Sequence, residues 1–186
     1  MNHHAQNTEN EHDVIDIEFH IGAPDNELPK RKGMHLFIDP ADCLRRQLST
    51  DAWQIHAVPS ITSNDFHLWA QQVVQLMLEA MLGKNMIGFE FISELRNLLR
   101  QTTEQRIVLQ HVPLDNAEQL SERMAASGIE HAWLALFSRS LPMNLYSRMV
   151  TLFEQHIPDE GRFLSSANIR DKGEDCLMLM TVQARQ

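Results

Sequence analysis

Residues 129–137 read Ile-Glu-His-Ala-Trp-Leu-Ala-Leu-Phe, and their apolar side chains fall on both parities. In an extended strand Ala132, Leu134 and Leu136 line one face, and Trp133, Ala135 and Phe137 line the other. A strand with one wet face alternates. One that is apolar on both faces belongs in the interior of a sheet covered above and below.

The neighbouring segments supply that cover. Upstream, Arg106–Val112 reads as a strand around Ile107-Val108-Leu109, and Asp115-Asn-Ala-Glu118 resembles a capping box opening a helix that stops at Gly128. Downstream, Pro142 opens a helix with Leu145, Met149, Leu152 and Phe153 at helical spacing, closed by Pro158. Phe163–Ile169 and Cys176–Val182 then read as the two strands of a hairpin around the turn Arg170–Glu174. This half is β-α-β-α-β-β, and strand–helix–strand alternation favours parallel pairing with right-handed crossovers.

The first half is less regular. Ile15, Ile17, Phe19 and Ile21 alternate with Asp16, Glu18 and His20, the pattern of an outer strand with one wet side. A polar loop from Gly22 to Gly33 leads to Met34–Ile38, expected as the hairpin partner of that first strand. Asp39-Pro40 has the chemistry of a helix start, which predicts a short helix to about Leu48. Trp53–Val58 predicts a third strand. Phe66–Leu82 predicts a helix apolar around well over half its circumference, its polar strip reduced to Gln71, Gln72, Gln75 and Glu79. A single-faced amphipathic helix follows over Phe89–Arg100. The expected fold is α/β (or α+β), a mixed sheet of about six to seven strands with helices on one or both faces. Residues 1–12 are expected to be a disordered tail, and residues 13–186 a single domain.

The totals narrow the function. A chain of 186 residues can bury roughly 70% of its unfolded surface. The net charge of −9 argues against double-stranded nucleic acid and anionic membranes. The densest basic run, Lys30-Arg31-Lys32, reads as a solvated turn. Cys43 and Cys176 are far apart among apolar residues, which suits buried thiols rather than a disulfide framework or a zinc ribbon. The longest apolar run, Ala132–Phe137, is far too short to span a membrane. With no apolar stretch in residues 1–12, a cytoplasmic location is expected. No Gly-rich phosphate loop, nucleophile elbow or metalloprotease motif occurs, and Gly83–Gly88 lacks the Lys-Ser/Thr a phosphate loop needs. No cofactor is expected.

Two groups of residues carry possible chemistry. If the first two strands pair as a hairpin with His20 opposite His35, then Asp16, Glu18, His20, His35 and Asp39 converge on one face. Two imidazoles with carboxylates suit Zn²⁺, Mn²⁺ or Fe²⁺. The plainer reading is that wet sheet faces carry such residues anyway. The second group lies beyond the carboxyl ends of parallel strands, where ligands of open sheets sit. There His111 and Asp115 could form a general base and its orienter, and Ser138, Arg139 and Ser140 before a helix N-terminus an anion pocket. Plain helix caps account for the same residues.

With no reaction signature, the sequence leans toward a non-catalytic protein-binding domain: an adaptor, regulator or chaperone-like component of an assembly. Its partner would be another protein or a second copy, met through the apolar face of Phe66–Leu82, with burial of that face as the driving force. The alternative is a small metal-dependent hydrolase or an anion-binding enzyme.

Overall fold

The computed structural model describes residues 17–25, 27, 29, 33–82, 85–87, 91–100, 105–125 and 127–183. The expected tail over residues 1–12, Asp16 and the run Lys30–Lys32 lie outside the described residues. Among the described residues eight strands form one mixed sheet. In chain order they are β1 (Ile17–Ile21), β2 (Met34–Asp39), β3 (Ala52–His56), β4 (Asn85–Ile87), β5 (Arg106–Pro113), β6 (Ile129–Ser138), β7 (Arg162–Ile169) and β8 (Cys176–Gln183). The helices are α1 (Phe66–Leu82), α2 (Phe91–Arg100), α3 (Ala117–Ala125) and α4 (Met143–Glu154). The order across the sheet is β1-β2-β3-β5-β8-β6-β7-β4.

Strand β6 is the interior strand its sequence predicts. Trp133, Ala135 and Phe137 join one apolar cluster, and Ala132, Leu134 and Leu136 join another on the opposite side. The first cluster takes Met34, Leu36 and Ile38 of β2 and Met178 and Met180 of β8, and α1 and α2 cover it. Trp53 Nε1–H donates to Leu99 O at 2.9 Å, tying β3 to α2 beneath this cover. The second cluster lies under α3 and α4, through Leu120, Met124, Met149 and Phe153. Each large apolar side chain fully buried in these layers contributes roughly 1.5–3 kcal/mol.

Three expectations are corrected. First, β1 and β2 pair in parallel, with Glu18 opposite His35 and His20 opposite Phe37. Every residue of β2 is buried, so it belongs inside a sheet, with β3 parallel on its other side. Strand β2 therefore starts beside the start of β1, and no tight turn joins the two. Second, no helix follows Asp39. The Cys43 N–H reaches Pro40 O at 3.2 Å, closing one turn, but the Arg46 N–H donates to Gln54 Oε1 at 2.9 Å and the helical ladder stops. The Asp39 carboxylate, expected as a helix cap, is buried in an ion pair with Arg46. Third, β7 and β8 are not hairpin partners. Strand β8 inserts antiparallel between β5 and β6, while β7 runs parallel to β6 on its far side. The short edge strand β4, antiparallel to β7, falls where the sequence offers only a glycine-flanked segment.

Helix α1 has the expected bounds. Seven of its 17 residues are buried: Phe66, Trp69, Ala70, Val73, Leu76, Met77 and Ala80. Its broad apolar surface is thus largely spent on the chain's own sheet, and Leu68 and Leu82 stay exposed. No helix among the described residues is long and apolar enough to cross a membrane.

Candidate metal centre

Parity sends Ile17, Phe19 and Ile21 toward the α1 core, and Glu18 and His20 to the opposite face. On β2 the same rule sends Met34, Leu36 and Ile38 inward and leaves His35, Phe37 and Asp39 on the Glu18–His20 side. The parallel register sets Glu18 beside His35, with His20 one step along.

Three donor atoms meet there. His20 Nε2 lies 3.2 Å from His35 Nδ1, Glu18 Oε2 lies 3.4 Å from His35 Nδ1, and Glu18 Oε2 lies 4.0 Å from His20 Nε2. Ligands on a tetrahedral Zn²⁺, with bonds of about 2.0–2.2 Å, sit about 3.3–3.6 Å apart. Two edges of the triangle, 3.2 and 3.4 Å, are close to that spacing, and the third, Glu18 to His20 at 4.0 Å, must shorten by a few tenths of an ångström around an ion. His35 is only 2% exposed, and the Glu18 side chain is 52% exposed, so the centre opens to solvent on the glutamate side.

His20 is oriented from two directions. Its Nδ1 lies 3.0 Å from Glu27 Oε1, and its ring stacks on Phe37 at 4.3 Å between centroids and 9° between planes. A proton on Nδ1, donated to the carboxylate, leaves the Nε2 lone pair facing the other two donors. A carboxylate behind a histidine in this way fixes its tautomer and strengthens it as a ligand.

Of the residues expected to converge, the fold brings together His20, His35 and Glu18. Asp39 shares their face but is engaged elsewhere, accepting from Arg46 Nε at 2.7 Å, Arg46 Nη2 at 2.9 Å and Gln54 Nε2 at 2.9 Å. Glu27 was missed because it sits in a loop, where no periodicity marks it.

The second group does not assemble as expected. Strands β5 and β6 end at the same edge, but β8 separates them. His111 lines a cleft of about 470 Å³ between α1 and the β7–β8 turn, with Gln71, Gln75, Arg170 and Cys176 among its walls. Burial pushes the His111 imidazole below the ordinary histidine range and the Cys176 thiol above the ordinary thiol range. His111 Nδ1 has no hydrogen-bond partner among the described residues, so Asp115, exposed on the turn after β5, does not orient it there. The anion pocket is filled by the chain itself. The Arg139 N–H donates to Asp175 Oδ1 at 3.2 Å, and the Ser138 hydroxyl is spent on the Ser140 backbone.

No known family matches the sequence, and no curated protein matches it. Solved structures do resemble the fold. A tryptophan-to-tyrosine mutant of FtsZ from M. jannaschii superposes with a TM-score of 0.53 at 10% identity, covering 82% of this chain and 65% of that one. An empty FtsZ dimer from M. jannaschii gives 0.53 at 11% identity, covering 72% and 45%. CetZ from Methanosaeta thermophila gives 0.51 at 10% identity, covering 83% and 53%. The chain thus spans about half to two thirds of the length of these proteins. What it shares with them is an α/β architecture.

Proposed function

We propose that this chain is a metalloprotein that holds one divalent transition-metal ion, best matched by Zn²⁺, on Glu18, His20 and His35. The observation that carries the reading is the triangle of donor atoms at 3.2, 3.4 and 4.0 Å. Two histidines and a glutamate with a position left open is a ligand set of catalytic rather than structural zinc. An ion there would polarise a bound water and bring its deprotonation toward neutral pH, the chemistry of a metal-dependent hydrolase. Glu18 and Glu27 supply negative charge that a cation relieves. The test is direct. Protein loaded with zinc and freed of excess should retain one equivalent by elemental analysis. His20→Ala and His35→Ala should each lose it, and His67→Ala, on α1, should keep it. Equal zinc in the wild type and the His20→Ala/His35→Ala double variant would defeat the reading.

A second reading, a cytoplasmic adaptor or regulatory domain that associates with another protein or itself, draws support from α1. Leu68 is 62% and Leu82 79% exposed on its outer side, with the polar Gln71, Gln72 and Gln75 between them. Leu68 and Leu82 would be the apolar anchors of such a contact and the glutamines its hydrogen-bonding groups.

A further inference from the structure

An arginine is buried beside the proposed centre, and stability alone does not account for it. Arg46 is 7% exposed and forms a fork with Asp39, itself fully buried. Buried ion pairs are often no more stabilising than well-packed apolar side chains of the same volume. The remaining contacts of Arg46 show where its donors are directed. Nη1–H donates to Pro24 O at 2.7 Å, and Nη2–H donates to Ala23 O. Pro24 O also accepts the Glu27 N–H at 2.9 Å, and Glu27 Oε1 is the atom that meets His20 Nδ1. Arg46 thus grips the turn whose last residue orients His20. It has a second route to the same imidazole. Its guanidinium carbon lies 4.9 Å from the centroid of the Phe37 ring, and that ring is the one His20 stacks on.

We propose that Arg46 is a positioning residue for the Glu18–His20–His35 metal centre, acting through the Pro24–Glu27 turn and the Phe37 ring. The proposal rests on the metal reading above. Asp39 holds the guanidinium in plane, the guanidinium holds two loop carbonyls, and the loop delivers the Glu27 carboxylate behind His20. Lysine cannot replace this arrangement, because one ammonium cannot serve a carboxylate fork and two carbonyls together.

A double-mutant cycle on zinc affinity tests it, read by competition with a chromophoric chelator on the full chain. Glu27→Ala should weaken zinc binding about 10- to 100-fold, the usual loss when a partner behind a ligand is removed. Arg46→Lys, with native circular dichroism, should weaken it by at least about tenfold. The double variant Glu27→Ala/Arg46→Lys should be weaker than either single variant but by less than the product of the two losses, because the changes share the loop route while Arg46 also acts on the Phe37 ring. If Arg46→Lys does not fold, Asp39→Leu/Arg46→Met removes the pair without stranding a buried charge, and the same loss and the same coupling to Glu27 are expected. A folded Arg46 variant with wild-type affinity, or losses that multiply, would overturn the assignment while leaving the metal centre intact. A wild-type chain that binds no zinc would overturn both.

Discussion

His20 sits at the meeting point of an acidic loop, an aromatic ring and a second histidine, and each contact constrains a different degree of freedom. Glu27 selects the tautomer, Phe37 fixes the ring plane, and His35 supplies the neighbouring donor. Elsewhere the fold makes three histidines harder to protonate. Burial lowers the affinity of His111, His56 and His131 for a proton, with Arg106 adding to the effect at His56. Each therefore binds its proton less readily folded than unfolded. As pH falls below about 6.5, the unfolded chain takes up protons that the native chain refuses, and stability drops. Thermal melts should show a Tm that is flat above pH 7 and declines on acidification. His111→Gln should flatten the part of that decline above pH 5. A Tm that rises between pH 6.5 and 5.5 would contradict this. How far the centre could be read in advance depends on parity and register. Alternation alone puts Glu18, His20 and His35 on one face, whichever way β2 runs, because a side chain's face depends on odd or even position. That holds only while the apolar sets of both strands face the same core, since a one-residue slip in register would send His35 to the other face. Glu27, and Arg46 as the partner of Asp39, lie in irregular segments where the chain carries no periodic signal.

Helix α1 shows what periodicity can and cannot say about an element. Its bounds were legible because Phe66, Trp69, Val73, Met77 and Ala80 recur at helical spacing and Gly83 follows the end. The destination of its broad apolar surface was not legible, since the same stripe serves a core or an interface. Two substitutions separate the two roles. Met77→Ala removes a fully buried side chain and should cost about 2–5 kcal/mol in urea unfolding. Leu68→Ala, at the exposed surface, should stay within about 0.5 kcal/mol. Equal losses at the two positions would mean that Leu68 is covered in solution. The segment after β2 illustrates the opposite failure. Asp39-Pro40 carries a sound helix-start signal, but a side chain seven residues on overrides it, because the Asp39 carboxylate closes on Arg46 and the local cap is lost. Strand β4 is missed for a third reason. Three residues paired at a sheet edge are too few to establish a period.

At the scale of the molecule, the sheet divides into two differently dressed halves. Strands β5, β8, β6 and β7 follow the sandwich their sequence announces, helices above and below, and the alternation of β6 between two cores made that half readable. Strands β1, β2 and β3 have α1 and α2 on one face only. Their other face carries Glu18, His20, His35, Asp39, Gln54 and His56, and the segments after β1 and β2 bring Glu27 and Arg46 onto it. A polar face held under loops, rather than a helix, is where the fold leaves room for chemistry. The association proposed for α1 would use the opposite face. If α1 is also a contact, light scattering should show self-association or complex formation that Leu68→Asp/Leu82→Asp abolishes without unfolding the chain. The parallel pairing of β1 and β2 exchanges the roles expected for two donors: Glu18, rather than His20, stands opposite His35, and His20 reaches across from the next same-face site. The most direct check is an anomalous difference map at the zinc edge, from crystals of the wild-type protein grown with zinc. One dominant peak is expected, within about 2.2 Å of His20 Nε2, His35 Nδ1 and Glu18 Oε2. Peaks confined to other surface residues, with the two imidazoles still hydrogen-bonded to each other, would contradict it.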